Sequence, residues 1–153
     1  LAADRPDLVR AMRSRYRAWY DDVAATRANN FEPPRIAIGD PAEPVSVLTR
    51  QDRRSNHGEG WGNAGAWWLR ADARHEAELI LLFAKEARFD TAHVRIGTTD
   101  LDFEGAKKGR RISLGRVPFP TGPFELRVDL EDGGETVSVH QVVADTRPSS
   151  GGD

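Results

Sequence analysis

The sequence predicts a mostly β fold: an N-terminal amphipathic α-helix followed by an antiparallel β-sandwich of jelly-roll or immunoglobulin-like type. Three observations predict it. Near the N-terminus apolar residues recur every three or four positions, from Arg35 onward they come in short strand-like runs, and Gly, Pro, Asp and Asn punctuate those runs. A chain of 153 residues that is 39% hydrophobic, with 4 Trp and 6 Phe, has enough apolar material to bury one core.

The helix opens well. Asp4 offers an N-cap acceptor, Pro6 suits the first turn, and Asp7 places negative charge at the positive end of the dipole. Leu8, Met12, Tyr16, Trp19 and Val23 form one apolar stripe, while Arg5, Arg10, Arg13, Arg17 and Asp21 take the other sides. The pattern runs to about Ala28, where Asn29, Asn30, Pro33 and Pro34 stop it.

Strand-like runs follow at residues 36–38, 45–48, 66–71, 77–83, 93–96, 111–114, 124–130 and 136–143. Alternation is clearest where Phe124, Leu126, Val128 and Leu130 interleave with Glu125, Arg127 and Asp129, giving one buried and one wet face. Asp132, Gly133 and Gly134 spell a hairpin turn. The run 79–83 is apolar at every position, as expected of a central strand covered on both faces, with the N-terminal helix as candidate cover. The expected organisation is a helix and linker over 1–30, a β-sandwich over 31–145, and a mobile polar tail over 146–153. The pairing order of the strands does not follow from the pattern.

The 22 basic and 24 acidic side chains nearly cancel, so no strong field gathers nucleic acid or an anionic membrane, and neither is an expected partner. With no cysteine there is no disulfide, thiolate metal site or cysteine nucleophile. No apolar run reaches the roughly 20 residues of a membrane-spanning helix. Because the sequence opens at Leu1 and leads directly into a helix, it reads as a cut from a longer polypeptide.

A resemblance sharpens this reading. The stretch Ala2-Ala3-Asp4-Arg5-Pro6-Asp7-Leu8-Val9, continuing through Met12, Tyr16, Trp19, Tyr20, Asp21, Asp22 and Val23, resembles the last helix of the formylglycine sulfatases, the arylsulfatase family. Arg35-Ile36-Ala37-Ile38-Gly39, Pro44, Leu48-Thr49-Arg50-Gln51-Asp52 and Gly65-Ala66-Trp67-Trp68-Leu69 resemble the β module appended to that helix in a bacterial subset. Together they cover nearly the whole chain. Arg53-Arg54 departs from the pattern, since an aromatic residue is expected after Asp52. The resemblance implies a parent sulfuric ester hydrolase, periplasmic or secreted, that uses calcium and a formylglycine made within a Cys/Ser-x-Pro-x-Arg motif. None of that machinery carries over: the only Pro-x-Arg here is Pro33-Pro34-Arg35, with Phe31 at the nucleophile position. The chain is therefore expected to hold no catalytic residue, metal or cofactor of its own, and its implied partner is the upstream catalytic domain.

The candidate site residues each have a plain and a functional role. Trp61, Trp67 and Trp68 could stack on sugar rings, with Arg50, Arg53 and Arg54 meeting the sulfates of a sulfated polysaccharide; core or interdomain packing is the default. In a strand Trp67 and Trp68 point to opposite faces, so one is expected in the core. The stripe of Leu8, Met12, Tyr16, Trp19 and Val23 is expected to pack between domains. Asp100, Asp102, Glu104 and Gly105 imitate the start of a calcium loop, but Arg111 stands where a bidentate glutamate is needed, so a solvated acidic loop is the default. Lys107, Lys108, Arg110 and Arg111 then neutralise it across a turn, or meet an acidic glycan. His57, His75, His93 and His140 lack metal-ligand spacing, and Ser46, Ser55, Ser113 and Ser138 lack a nucleophile-elbow context.

Overall fold

A computed structural model describes residues 2–26, 34–54 and 65–148. The chain forms two compact units, Leu1–Pro34 and Arg35–Asp153.

The first unit is a single helix, α1 (Pro6–Ala24). Pro6 occupies the first turn as its fixed φ favours, and Asp7 adds the expected negative charge there. The cap itself differs from expectation. Arg5, not Asp4, is the N-cap residue, and it makes no side-chain capping bond. Helical structure also stops earlier than Ala28: the Ala25 N–H closes back on the Asp21 carbonyl, and Thr26 donates to the Val23 carbonyl through both its N–H, at 3.3 Å, and its hydroxyl, at 2.7 Å. No residue of α1 is buried.

The second unit is a curled, largely antiparallel sheet, a half-barrel. Its strands are β1 (Ile36–Ala37), β2 (Val45–Thr49), β3 (Arg53–Arg54), β4 (Ala66–Ala71), β5 (His75–Ile96), β6 (Thr99–Phe119), β7 (Gly122–Asp132), β8 (Glu135–Thr136) and β9 (Gln141–Asp145). The path runs β1-β4-β7-β5-β9-β2, with β3 on β4, β6 on β5 and β8 on β7. One pair departs from the antiparallel expectation: β1 lies parallel to β4, Ile36 beside Leu69.

The curl comes from β5. Its first half pairs with β9 and its second half with β7, while β6 follows it along its other side. Between those halves the register slips, from Leu82 opposite Arg111 to Ala87 opposite Gly109, and such irregularities bend a strand and increase its twist. The two halves thereby face one another across a shared core. Into it point Leu79, Leu81 and Phe83 from one half, Ala92, Val94 and Ile96 from the other, and Trp67, Leu69, Leu126, Leu48 and Val142 from the neighbouring strands.

These long strands correct the expected run of short ones. The runs at 77–83 and 93–96 belong to one strand, and the expected acidic loop at Asp100, Asp102 and Glu104 is part of β6. The expected strand at 136–143 is instead split between β8 and β9. Other expectations match closely. β4 covers the 66–71 run, and Gly133 and Gly134, with φ of +59° and +87°, join Asp132 to its partner Glu135 in a two-residue turn of the kind only glycine enters freely. In the 79–83 run, Ile80 is 2% exposed although it points away from Leu79 and Leu81, so this strand is covered on both sides at that position. The described residues end at Pro148, within the expected tail.

Candidate functional site

Alternation along β4 sends its two tryptophans to opposite faces. Trp67 is fully buried and its Nε1 donates to the Thr49 carbonyl at 2.7 Å, tying β4 to the end of β2. The Arg53 guanidinium covers this ring, its Cζ 4.2 Å from the centroid. Burial, followed by the nearby Arg50, pushes the Arg53 pKa down. A ring so enclosed offers no face to a sugar, so Trp67 anchors the core. Trp68 is half-buried on the other face, with Arg35 Cζ 5.2 Å from its centroid, and its Nε1 is buried with no hydrogen-bond partner among the described residues. Trp61 lies outside the described residues.

The three candidate arginines part ways. Arg50 is exposed on a short 3-10 turn, which the Asp52 carboxylate holds by accepting from the Thr49 N–H at 2.8 Å and its hydroxyl at 2.7 Å. Arg53 covers Trp67, while Arg54, next along the strand, is exposed.

A cluster that the sequence reading did not assemble lies where β5 and β6 meet. Asp102 Oδ1 approaches His93 Nδ1 at 2.5 Å, Asp100 stands 3.3 Å from Nε2, and Arg95 Nε donates to Asp100 at 2.6 Å. The Asp102 hydrogen bond, reinforced by the charges of Asp102 and Asp100, raises the His93 pKa, and Arg95 holds Asp100 below the usual carboxylate range. Carboxylates face both ring nitrogens. The imidazole therefore bridges β5 to β6, and its carboxylate neighbours favour the charged form. A signal for this cluster did exist. A two-residue turn at Gly97 and Thr98 sets the register that places His93 opposite Asp102 and Arg95 opposite Asp100.

Beside His93 is a cavity of about 200 Å³ lined by Asp102, Glu104, Asp129, Glu131 and Phe103. Among the described residues no group of three or more His, Asp or Glu is placed to hold a metal ion. Of the remaining basic cluster, Lys108 pairs with Glu86 at 2.9 Å and Arg110 donates to the Ala84 carbonyl. Charge is therefore neutralised across β5 and β6, not across an acidic turn.

The other histidines and serines do not converge. His75 is half-buried, His140 is exposed, Ser46 is buried, and the Ser113 hydroxyl donates to Glu78 at 2.7 Å. His57 and Ser55 lie outside the described residues. Along α1 the apolar stripe is exposed: Leu8, Met12, Tyr16, Trp19 and Val23 all keep at least 41% of their surface open. Tyr16 contacts Trp19 and Tyr20, with ring centroids 5.7 and 6.2 Å apart.

Compared with known proteins, the chain matches no protein-family profile and no curated protein sequence.

Proposed function

We propose that this chain is the non-catalytic C-terminal accessory part of a bacterial formylglycine-dependent sulfatase, packing on the upstream catalytic domain and narrowing substrate access. The observation that carries this reading is the exposed stripe of α1. A helix whose Leu8, Met12, Tyr16, Trp19 and Val23 all face solvent presents apolar area of the kind that marks an interaction surface. The sequence of that helix is also the part that most resembles the sulfatase family. The half-barrel suits the appended module, whose jelly-roll or immunoglobulin-like class belongs to the same proposal.

The parent polypeptide tests this. Peptide mapping of the protein purified from its source should find, upstream of Leu1, a formylglycine within a Cys/Ser-x-Pro-x-Arg motif. A parent with no such motif overturns the reading. Replacing Met12 and Trp19 together by Gln should then weaken docking on the catalytic domain.

A second reading, a carbohydrate-binding module for a sulfated glycan, draws on Trp68, the less buried member of the described pair, with Arg35 beside it. Tryptophan fluorescence unmoved by titration with sulfated polysaccharides overturns a role for Trp68 in this reading.

A further inference from the structure

The outer face of the sheet carries a row of arginines that strand pairing alone assembles. Trp67, Leu126 and Ile96 are neighbours in register across β4, β7 and β5, and all three are buried in the core. The residues next to them in each strand, Ala66, Arg127 and Arg95, therefore lie on the opposite face of the sheet, where Ala66 is buried, Arg127 half-buried and Arg95 exposed. Arg95 is the direct cross-strand partner of Arg127, and Arg54 is the partner of Ala66 on the far side. Arg54, Arg127 and Arg95 thus lie along one line that crosses β3, β4, β7 and β5, about 14 Å long at the usual strand spacing.

Two like charges directly opposite one another destabilise a strand pair, and here they are only partly compensated. Arg95 is bound to Asp100 through its Nε at 2.6 Å. Among the described residues, no hydrogen bond or ion pair joins Arg127 or Arg54 to an acidic side chain, although Glu125 and Asp129 flank Arg127 two positions away on the same strand face. The guanidinium fork of each remains open to a planar or tetrahedral anion. Near-zero net charge means that such an anion is recognised by the row itself and not by a field of the whole molecule.

We propose that this row, Arg54, Arg127 and Arg95, is a binding site for an acidic polysaccharide bearing sulfate groups. The anionic groups of successive sugars lie across the strands, accepting charge-assisted hydrogen bonds from Arg127 and Arg54, while Arg95 contributes charge beside its Asp100 partner. The flanking acidic side chains Glu125, Asp129 and Asp102 confine the anion to the row and repel it on either side. The choice of sulfate over carboxylate rests on the sulfatase reading above.

The test uses the full 153-residue chain and retention on immobilised heparin, with dextran sulfate, polygalacturonate and unsulfated dextran as competitors. The wild type should bind heparin in a salt-sensitive way, with dextran sulfate competing and dextran not. The double variant Arg54→Gln and Arg127→Gln should lose about tenfold in affinity, while Lys107→Gln with Lys108→Gln at the β5–β6 bend should stay within about twofold. Thermal unfolding unchanged in the first variant shows that its loss is one of binding. Lack of wild-type retention, or an equal loss in the lysine variant, overturns the site. Polygalacturonate competing as well as dextran sulfate overturns the sulfate assignment alone, an outcome separate from a parent that lacks formylglycine.

Discussion

The Arg53 guanidinium lies over the fully buried ring of Trp67, its Cζ 4.2 Å from the centroid. The same ring donates to the Thr49 carbonyl, so these two contacts of Trp67 hold β3, β4 and the end of β2 together. A desolvated cation–π contact of this kind contributes up to about 2 kcal/mol. Trp67→Ala should cost about 3–5 kcal/mol by leaving a cavity, and Arg53→Ala about 1–2 kcal/mol, both read as lowered urea midpoints. If Trp67→Ala costs less than about 1 kcal/mol, the ring does not anchor this core.

His93 ties β5 to β6 more strongly when it is protonated than when it is neutral. Its folded-state pKa is raised above the ordinary 6.5, so its contribution is fully present below about 6.5 and disappears as pH climbs through the raised value. The pair is exposed, so the effect should be about 0.5 kcal/mol. Urea midpoints measured from pH 5.5 to 9 should fall across that range in the wild type and stay flatter in His93→Asn.

Asp145 behaves in the opposite sense. Its hydrogen bonds with Arg147 hold the carboxyl down at about 2. A depressed folded-state pKa gives stability that is present above the unfolded value near 3.9 and is lost as pH falls toward 2. Asp145→Asn should remove about 1 kcal/mol at pH 6 and blunt this segment's share of acid unfolding, measured by circular dichroism from pH 5 to 1.5.

Gly39 sits at φ +80°, and a Cβ there would lie 2.5 Å from the His75 ring. Gly39→Ala should therefore cost about 1–2 kcal/mol through backbone strain and displacement of that ring. His75→Ala in the same background should recover the steric part and leave the strain, a non-additivity that a double-mutant cycle measures.

How much of this was legible in the sequence varied with the reach of the signal. β4 and β7 were readable because Trp67, Leu69 and Ala71, and then Phe124 to Leu130, alternate cleanly. β5 and β6 were misread as shorter pieces. Arg88, Asp90, Lys107 and Lys108 look like loop residues, yet they sit in a stretch of hairpin whose polar side chains are largely solvated and whose register slips, so strand pairing continues without an apolar pattern. The opposite faces of Trp67 and Trp68 followed from strand geometry, but which of them entered the core did not. The arginine row was out of reach altogether. Arg54, Arg95 and Arg127 are distant in sequence and become neighbours only through a strand order that periodicity does not encode.

The proposed accessory role rests on the exposed stripe of α1 and assigns the sulfatase chemistry to a proposed parent polypeptide. The most direct measurement is turnover of an aryl sulfate ester such as 4-nitrophenyl sulfate by the parent polypeptide and, separately, by the 153-residue chain. The account predicts release of nitrophenol by the parent and none by the chain at equal concentration. Hydrolysis by the chain alone, or a parent without any sulfatase activity, would contradict it.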